Sequence, residues 1–142
     1  MKKKIVLAVL ALFLAGFCEA KEPNAFSWKQ SNEVSSILDA TAYAQIVPQI
    51  RKSPMLIEFG STSCASCVEM GKLLYRVKQE YPQSAIYFVE VHSDQQATRD
   101  YRIQMIPTQI YLDAKGGESY RHIGIVSYEQ LIANLKAEKI IF

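Results

Sequence analysis

Cys64-Ala65-Ser66-Cys67 sets two thiols three residues apart. A pair at that spacing can trade a disulfide with another protein, begin a zinc or copper(I) site, or act as a short structural staple. The staple is the weakest of the three, because closing so short a loop removes little entropy from the unfolded chain. A metal site needs further ligands, and His92 and His122 lie far from the pair in sequence. No phosphate-cradling glycine loop and no Ser/His/Asp signature competes with the thiols. Glu69, Lys72 and Lys78 read as the solvated face of a helix that follows the pair.

The compartment changes how the third cysteine is read. Lys2, Lys3 and Lys4 precede an uncharged run from Ile5 to Cys18, and Cys18-Glu19-Ala20 offers small residues at a cutting site, the layout of a secretory signal peptide over residues 1–20. The run is shorter than the ~20 apolar residues that span a bilayer as a helix, which disfavours a retained anchor. Phe17 stands before Cys18, where a lipid-attachment signal needs a small residue. Cleavage after Ala20 removes three of the sixteen basic and one of the fourteen acidic side chains, leaving thirteen of each. The formal charge of +2 therefore belongs to the leader, and nothing argues for nucleic acid or an anionic membrane as a partner. Cys18 leaves as well, so the exported chain keeps Cys64 and Cys67 alone, in a compartment where disulfides persist.

The elements that must position the pair are legible from Pro54 onward. Residues 21–36 are polar and read as a leader arm, which Phe26 and Trp28 dock onto a domain over 37–142. The spacing of Ile37, Leu38, Ala42, Ile46, Val47 and Ile50 predicts a helix up to Lys52, interrupted by Pro48. Met55-Leu56-Ile57-Glu58-Phe59, bounded by Pro54 and Gly60, predicts a buried strand. After a small polar loop, Cys67, Met70, Leu73, Leu74, Val77 and Tyr81 recur at helical spacing up to Pro82. Ala85 to Val91 is a second strand, parallel to the first because a helix joins them. A short helix over Asp94 to Tyr101 precedes strands Pro107 to Leu112 and Glu118 to Ile123, antiparallel across a glycine-bearing turn. Ser127 and Gln130 form a capping box for a last helix with Leu131, Ile132 and Leu135 on its apolar stripe. The order βαβ, helix, ββα implies an α/β domain with a mixed central sheet flanked by helices.

From Pro54 to Lys136 the chain resembles the thioredoxin superfamily, and most of all its exported, periplasmic bacterial members. The resemblance rests on Glu58-Phe59 leading to the cysteine pair, Ile106-Pro107-Thr108 opening a strand, and Ile123-Gly124-Ile125 after the next strand, in that order. It implies a thioredoxin-like fold and protein thiols and disulfides as substrates. Cys64, at the amino end of a helix where unpaired amides favour the thiolate, is expected to attack, and Cys67, one turn further in, to resolve the mixed disulfide. The resemblance makes Pro107 a cis proline facing the pair, gives the backbone of Ile106 to the incoming peptide, extends the match to Thr108, and sets Gly124 on the rim that meets partners. It also makes Glu58, six residues before Cys64, a buried acid that moves protons to and from the second thiol. A lone carboxyl group in an apolar strand tends to hold its proton, whereas one at a strand end would reach solvent.

The sequence departs from thioredoxin proper at Ser63, where a tryptophan is usual, at Ala65-Ser66, which replace Gly-Pro, and at Glu58, where Asp is commoner. Glu90 falls near a lysine that partners the buried acid in thioredoxin. There it would repel Glu58, unless a shift of one residue turns it outward. The function implied is a monomeric exported thiol–disulfide oxidoreductase that needs no cofactor, acts as a reductant, depends on an upstream redox partner, and is not stably inserted in a membrane. A soft-metal module using the pair, a disulfide-forming oxidase of the same fold and a non-catalytic binding domain are the alternatives.

Overall fold

The strand Met55–Gly60 (β1) is buried at every residue, which for a short apolar run requires cover on both faces. The computed structural model describes residues 36–142, all within one compact unit. The leader peptide with Cys18, and the polar arm apart from Ser36, lie outside the described residues. Beyond β1 follow Ala65–Glu80 (α2), Ile86–Glu90 (β2), Gln95–Asp100 (α3), Thr108–Leu112 (β3), Glu118–Ile123 (β4) and Tyr128–Ala137 (α4); a single turn, Tyr43–Ile46 (α1), precedes β1. The strands form one sheet in the order β2-β1-β3-β4. β1 runs parallel to β2 and antiparallel to β3, and β4 is antiparallel to β3. This is the mixed sheet that the element order implies.

Alternation along β1 divides the interior in two. Leu56 packs with Met70, Leu74 and Val77 of α2, Tyr111 of β3, and Leu131 and Leu135 of α4. Met55, Ile57 and Phe59 pack on the other face with Ile46, Val89, Ala97, Ile110 and Leu112. Glu58 and Gly60 share the face of Leu56, and so lie under α2. Ser127 Oγ accepts the Gln130 amide at 3.1 Å, but the Gln130 side chain donates to Asn134 Oδ1, so only half of the expected capping box forms. In the β3–β4 turn, Asp113 Oδ1 accepts the amides of Lys115 and Gly117, and Gly116 takes φ +80°.

The helix expected over 37–52 does not form. Leu38 donates its amide to Gly71 O, Ala40 bridges to Phe88, and only Tyr43–Ile46 is α-helical before a 3-10 turn over Val47–Gln49. Pro48 is the second residue of that turn, where a missing N–H leaves no bond unmade. The apolar residues serve two different faces: Leu38 joins the α2 side, whereas Tyr43, Ile46 and Ile50 join the other. Their near-helical spacing comes from a strap crossing the edge of the sheet.

Leu74 is fully buried between the sheet and α4. Leu74→Ala should lower the unfolding free energy by about 2–5 kcal/mol in urea titrations, and an unchanged midpoint would remove Leu74 from the core.

Candidate functional site

β1 ends at Gly60, and the chain needs only Ser61, Thr62 and Ser63 to reach Cys64, the cap of α2. That loop is held from within and from β2. Ser61 and Ser63 hydroxyls are 2.9 Å apart, Cys64 donates its amide to Ser61 O at 3.1 Å, and Thr62 donates its amide to Glu90 Oε2 at 2.9 Å. Cys64 is the residue that caps α2: its backbone is extended (φ −101°, ψ 116°) and its Sγ accepts the Cys67 amide at 3.4 Å. Ser66 Oγ lies 3.3 Å from the same sulfur.

The two thiols are left in opposite electrostatic settings. Hydrogen bonding from Cys67 and from the Ser66 hydroxyl, aided by the amides of both residues, outweighs desolvation and holds the half-buried Cys64 thiol below its ordinary value. Cys67, one turn further along, is buried, and burial, its hydrogen bond with Cys64 and the nearby charges of Cys64 and Glu58 push it up to about 12. Neither cysteine is in a disulfide. Gly60 allows this packing, because a Cβ there would sit 2.9 Å from Phe88 Cε2 and 3.4 Å from Cys67 Sγ. The sequence presents Gly60 only as a strand terminator; its second role depends on which helix lies above it.

Glu58 is fully buried, so the solvent-reaching alternative does not hold. Its Oε2 accepts from Gln109 Nε2 at 2.9 Å, and its Oε1 has no partner among the described residues. Desolvation raises the carboxyl group from 4.5 to about 8, against the lowering effect of the Gln109 bond and with a further rise from the Cys64 charge. Glu90 is not its opponent. In register Glu58 stands beside Phe88, and Glu90 stands beside Gly60. The Glu90 carboxylate turns to the Thr62 and His92 amides. Desolvation pushes it up, but the bonds from Thr62, Ser61 and His92 prevail and keep it below the usual carboxylate range. The expected repulsion is replaced by a clamp on the loop that leads to Cys64.

The other expected residues gather at the same end of the sheet. Thr108 opens β3 opposite Phe59, near the end of β1, and pairs with Ile123 at the end of β4. The peptide before it, Ile106–Pro107, is cis. Thr108 Oγ1 donates to Met105 O at 2.7 Å, and Gly124 donates its amide to Pro107 O at 2.8 Å. Gly124 takes φ +97°, a conformation open to glycine, and a Cβ there would meet nothing within 4 Å. Met105, Ile123 and Ile125 are exposed around these backbones.

Gln109 is the polar residue that sequence reasoning passed over. It is fully buried, directly opposite Glu58 in the β1–β3 register. The available signal was a second polar side chain in an otherwise apolar strand. Among the described residues no group of three His, Cys, Asp or Glu side chains converges to hold a metal ion, and no helix is long and apolar enough to cross a membrane.

Comparison with known proteins agrees with this arrangement. The family model described as Thioredoxin matches residues 34–137. The chain is 28% identical to a thiol:disulfide interchange protein, TxlA, of Synechococcus elongatus over 137 residues, covering 94% of this chain and 68% of that protein. It is also 28% identical to the chloroplastic thioredoxin-like protein CITRX of Arabidopsis thaliana over 76 residues, 53% of this chain and 42% of that protein. The X-ray structure of Fasciola hepatica thioredoxin superposes with a TM-score of 0.59 at 17% identity, covering 68% of this chain and 90% of that one, a likeness of fold.

Glu58 keeps its proton up to about pH 8 when folded and releases it near 4.5 when exposed. The folded chain therefore binds more protons between those values, and the stability Glu58 contributes is full below 4.5 and lost as pH rises through about 8. In urea titrations at about pH 5 and about pH 9, wild type should lose several kcal/mol more than Glu58→Gln over that interval; equal losses would mean that the carboxyl group is hydrated.

Proposed function

This chain belongs to the thioredoxin family, and on that premise we propose that it is an exported thiol–disulfide oxidoreductase that reduces disulfides in other proteins. The observation that carries the reading is the placement of Cys64 Sγ at the amino end of α2, accepting the Cys67 amide, with the second thiol buried one turn on. A thiolate favoured at the half-buried, more accessible position supplies a nucleophile, and a buried neighbour that holds its proton supplies a resolving group that acts only on demand.

The exchange then runs in two displacements. The Cys64 thiolate attacks one sulfur of a substrate disulfide, a mixed disulfide forms, and the other substrate sulfur leaves as a thiolate that takes up a proton. Cys67 gives its proton to Glu58 in its ionised form and attacks Cys64 Sγ; the bond to the substrate breaks, and its second sulfur leaves as a thiolate that takes up a proton from water, as Glu58 returns its own to solvent. Two electrons pass to the substrate and the Cys64–Cys67 disulfide remains. Glu58 fits the role of acid and base because burial brings its proton affinity near neutrality. No cofactor enters this cycle, and an upstream dithiol partner must reduce the pair again.

At the opening of the sheet, the Ile106 backbone and the exposed Met105, Ile123 and Ile125 offer an apolar rim to an extended segment of the substrate, whereas cis Pro107 and Thr108 are buried and, with Gly124, shape that rim from behind through bonds already made inside the protein. The direction, as a reductant, rests on Ile106 before Pro107, as in thioredoxin itself. Export rests on the basic and apolar layout of residues 1–20 and on the cysteine usage that follows from its removal.

Cys64→Ser should abolish disulfide reduction, and Cys67→Ser should accumulate covalent complexes that dithiothreitol releases on a non-reducing gel; equal activity in all three proteins sinks the catalytic reading. Equilibration with glutathione reads the direction, and a potential well above the glutathione couple would mark an oxidant. Expression in a Gram-negative bacterium should yield a periplasmic chain whose intact mass begins at Lys21, and an uncleaved cytoplasmic chain would overturn export.

A further inference from the structure

Gln109 is a fully buried amide that the exchange cycle does not use, and both of its donors are engaged. Nε2 lies 2.9 Å from Glu58 Oε2 and 3.1 Å from Gly124 O. Turning the amide over would lose both bonds and press its oxygen against the Gly124 carbonyl, so that carbonyl determines which end faces Glu58. Oε2 of Glu58 accepts this bond whether the group is a carboxylate or an acid, and a proton on Oε2 would meet an N–H head-on. Oε1, without a partner among the described residues, is left as the oxygen that can carry the proton. Gly124 in turn donates its amide to Pro107 O at 2.8 Å, so a line of bonds runs from Glu58 through Gln109 and Gly124 to the carbonyl of the proline that follows the cis bond.

We propose that Gln109 is a positioning residue for Glu58: its amide confines proton exchange to Oε1 and ties the acid to the Gly124 loop beside Ile106–Pro107. The inference deepens the redox reading and rests on it for its catalytic meaning, although the link between the two side chains is open to measurement by itself. A hydrogen bond to the charged form favours that form, so Gln109 opposes the desolvation of Glu58 and keeps its proton exchangeable near neutrality. The other titratable groups that face this spot are Cys64 and Cys67 at the start of α2, Tyr111 on β3, and His122, which stands opposite Gln109 on β4. None of them donates a hydrogen bond to Glu58, whereas Gln109 does.

The test is a carbon-13 carboxyl titration of Glu58 in the full reduced chain, compared with Gln109→Met, which keeps the bulk and removes the amide, and with Gln109→Asn, which keeps an amide one methylene too short. The Glu58 midpoint should rise by about one pH unit or more in Gln109→Met, since a hydrogen bond to a charged group is worth that much. The mixed-disulfide resolution rate should shift its pH profile by the same amount, and in a Glu58→Gln background Gln109→Met should shift nothing further. If the variants unfold more easily while Glu58 titrates where it does in wild type, Gln109 is only structural and the inference is overturned. Either variant that folds suffices for this readout. If the midpoint moves but no protein, wild type included, exchanges disulfides, the positioning stands and the redox reading falls.

Discussion

β1 sits inside the sheet with helices on both faces, so each side chain from Met55 to Gly60 must be apolar, absent or compensated. Glu58 is the one that must be compensated. Its dry position pushes its proton affinity up towards neutrality, and the need for a donor brings Gln109 into a strand that is otherwise buried and mostly apolar. Gly60 is the one that is absent, and its missing side chain lets Cys67 descend onto the sheet. The same burial that makes the core therefore tunes the acid and seats the second thiol.

The two thiols differ because a helix terminus and a core interior meet within one turn. Cys64 receives an amide that α2 would otherwise leave unpaired, and Cys67 loses contact with water. The loop between β1 and α2 is short enough to put these environments side by side, and Glu90 keeps it in shape by accepting the Thr62 amide from β2. Interactions that look like routine loop and cap bonds thus hold the Cys64 thiol in register with the buried carboxyl group.

Much of this could be read from residue order. The period of Met70, Leu74 and Val77 marks α2, the branched and aromatic run marks β2, and Asp113 with Gly116 and Gly117 marks the hairpin, because each depends on neighbours a few residues away. Residues 37–52 misled for the complementary reason. Leu38 and Ile46 are apolar towards opposite faces of the sheet, and spacing along the chain cannot register which face a side chain serves. Glu90 misled similarly: its place in the strand was legible, but the competing attraction of the Thr62 and His92 amides comes from a loop folded back over the strand end.

By itself the sequence determined the strand-to-helix junction that carries Cys64 and Cys67, the βαβ and ββα halves, and the anomaly of a carboxyl group in an apolar strand. These are local properties, set by propensity, period and capping within a few residues. Tertiary structure alone decided that Gln109 is the donor to Glu58, that Gly60 lies beneath Cys67, and that Glu90 turns to the Thr62 amide and not to Glu58. Those facts depend on register between strands distant in the chain and on the helix laid across them, and a proton affinity follows the surroundings that such packing creates.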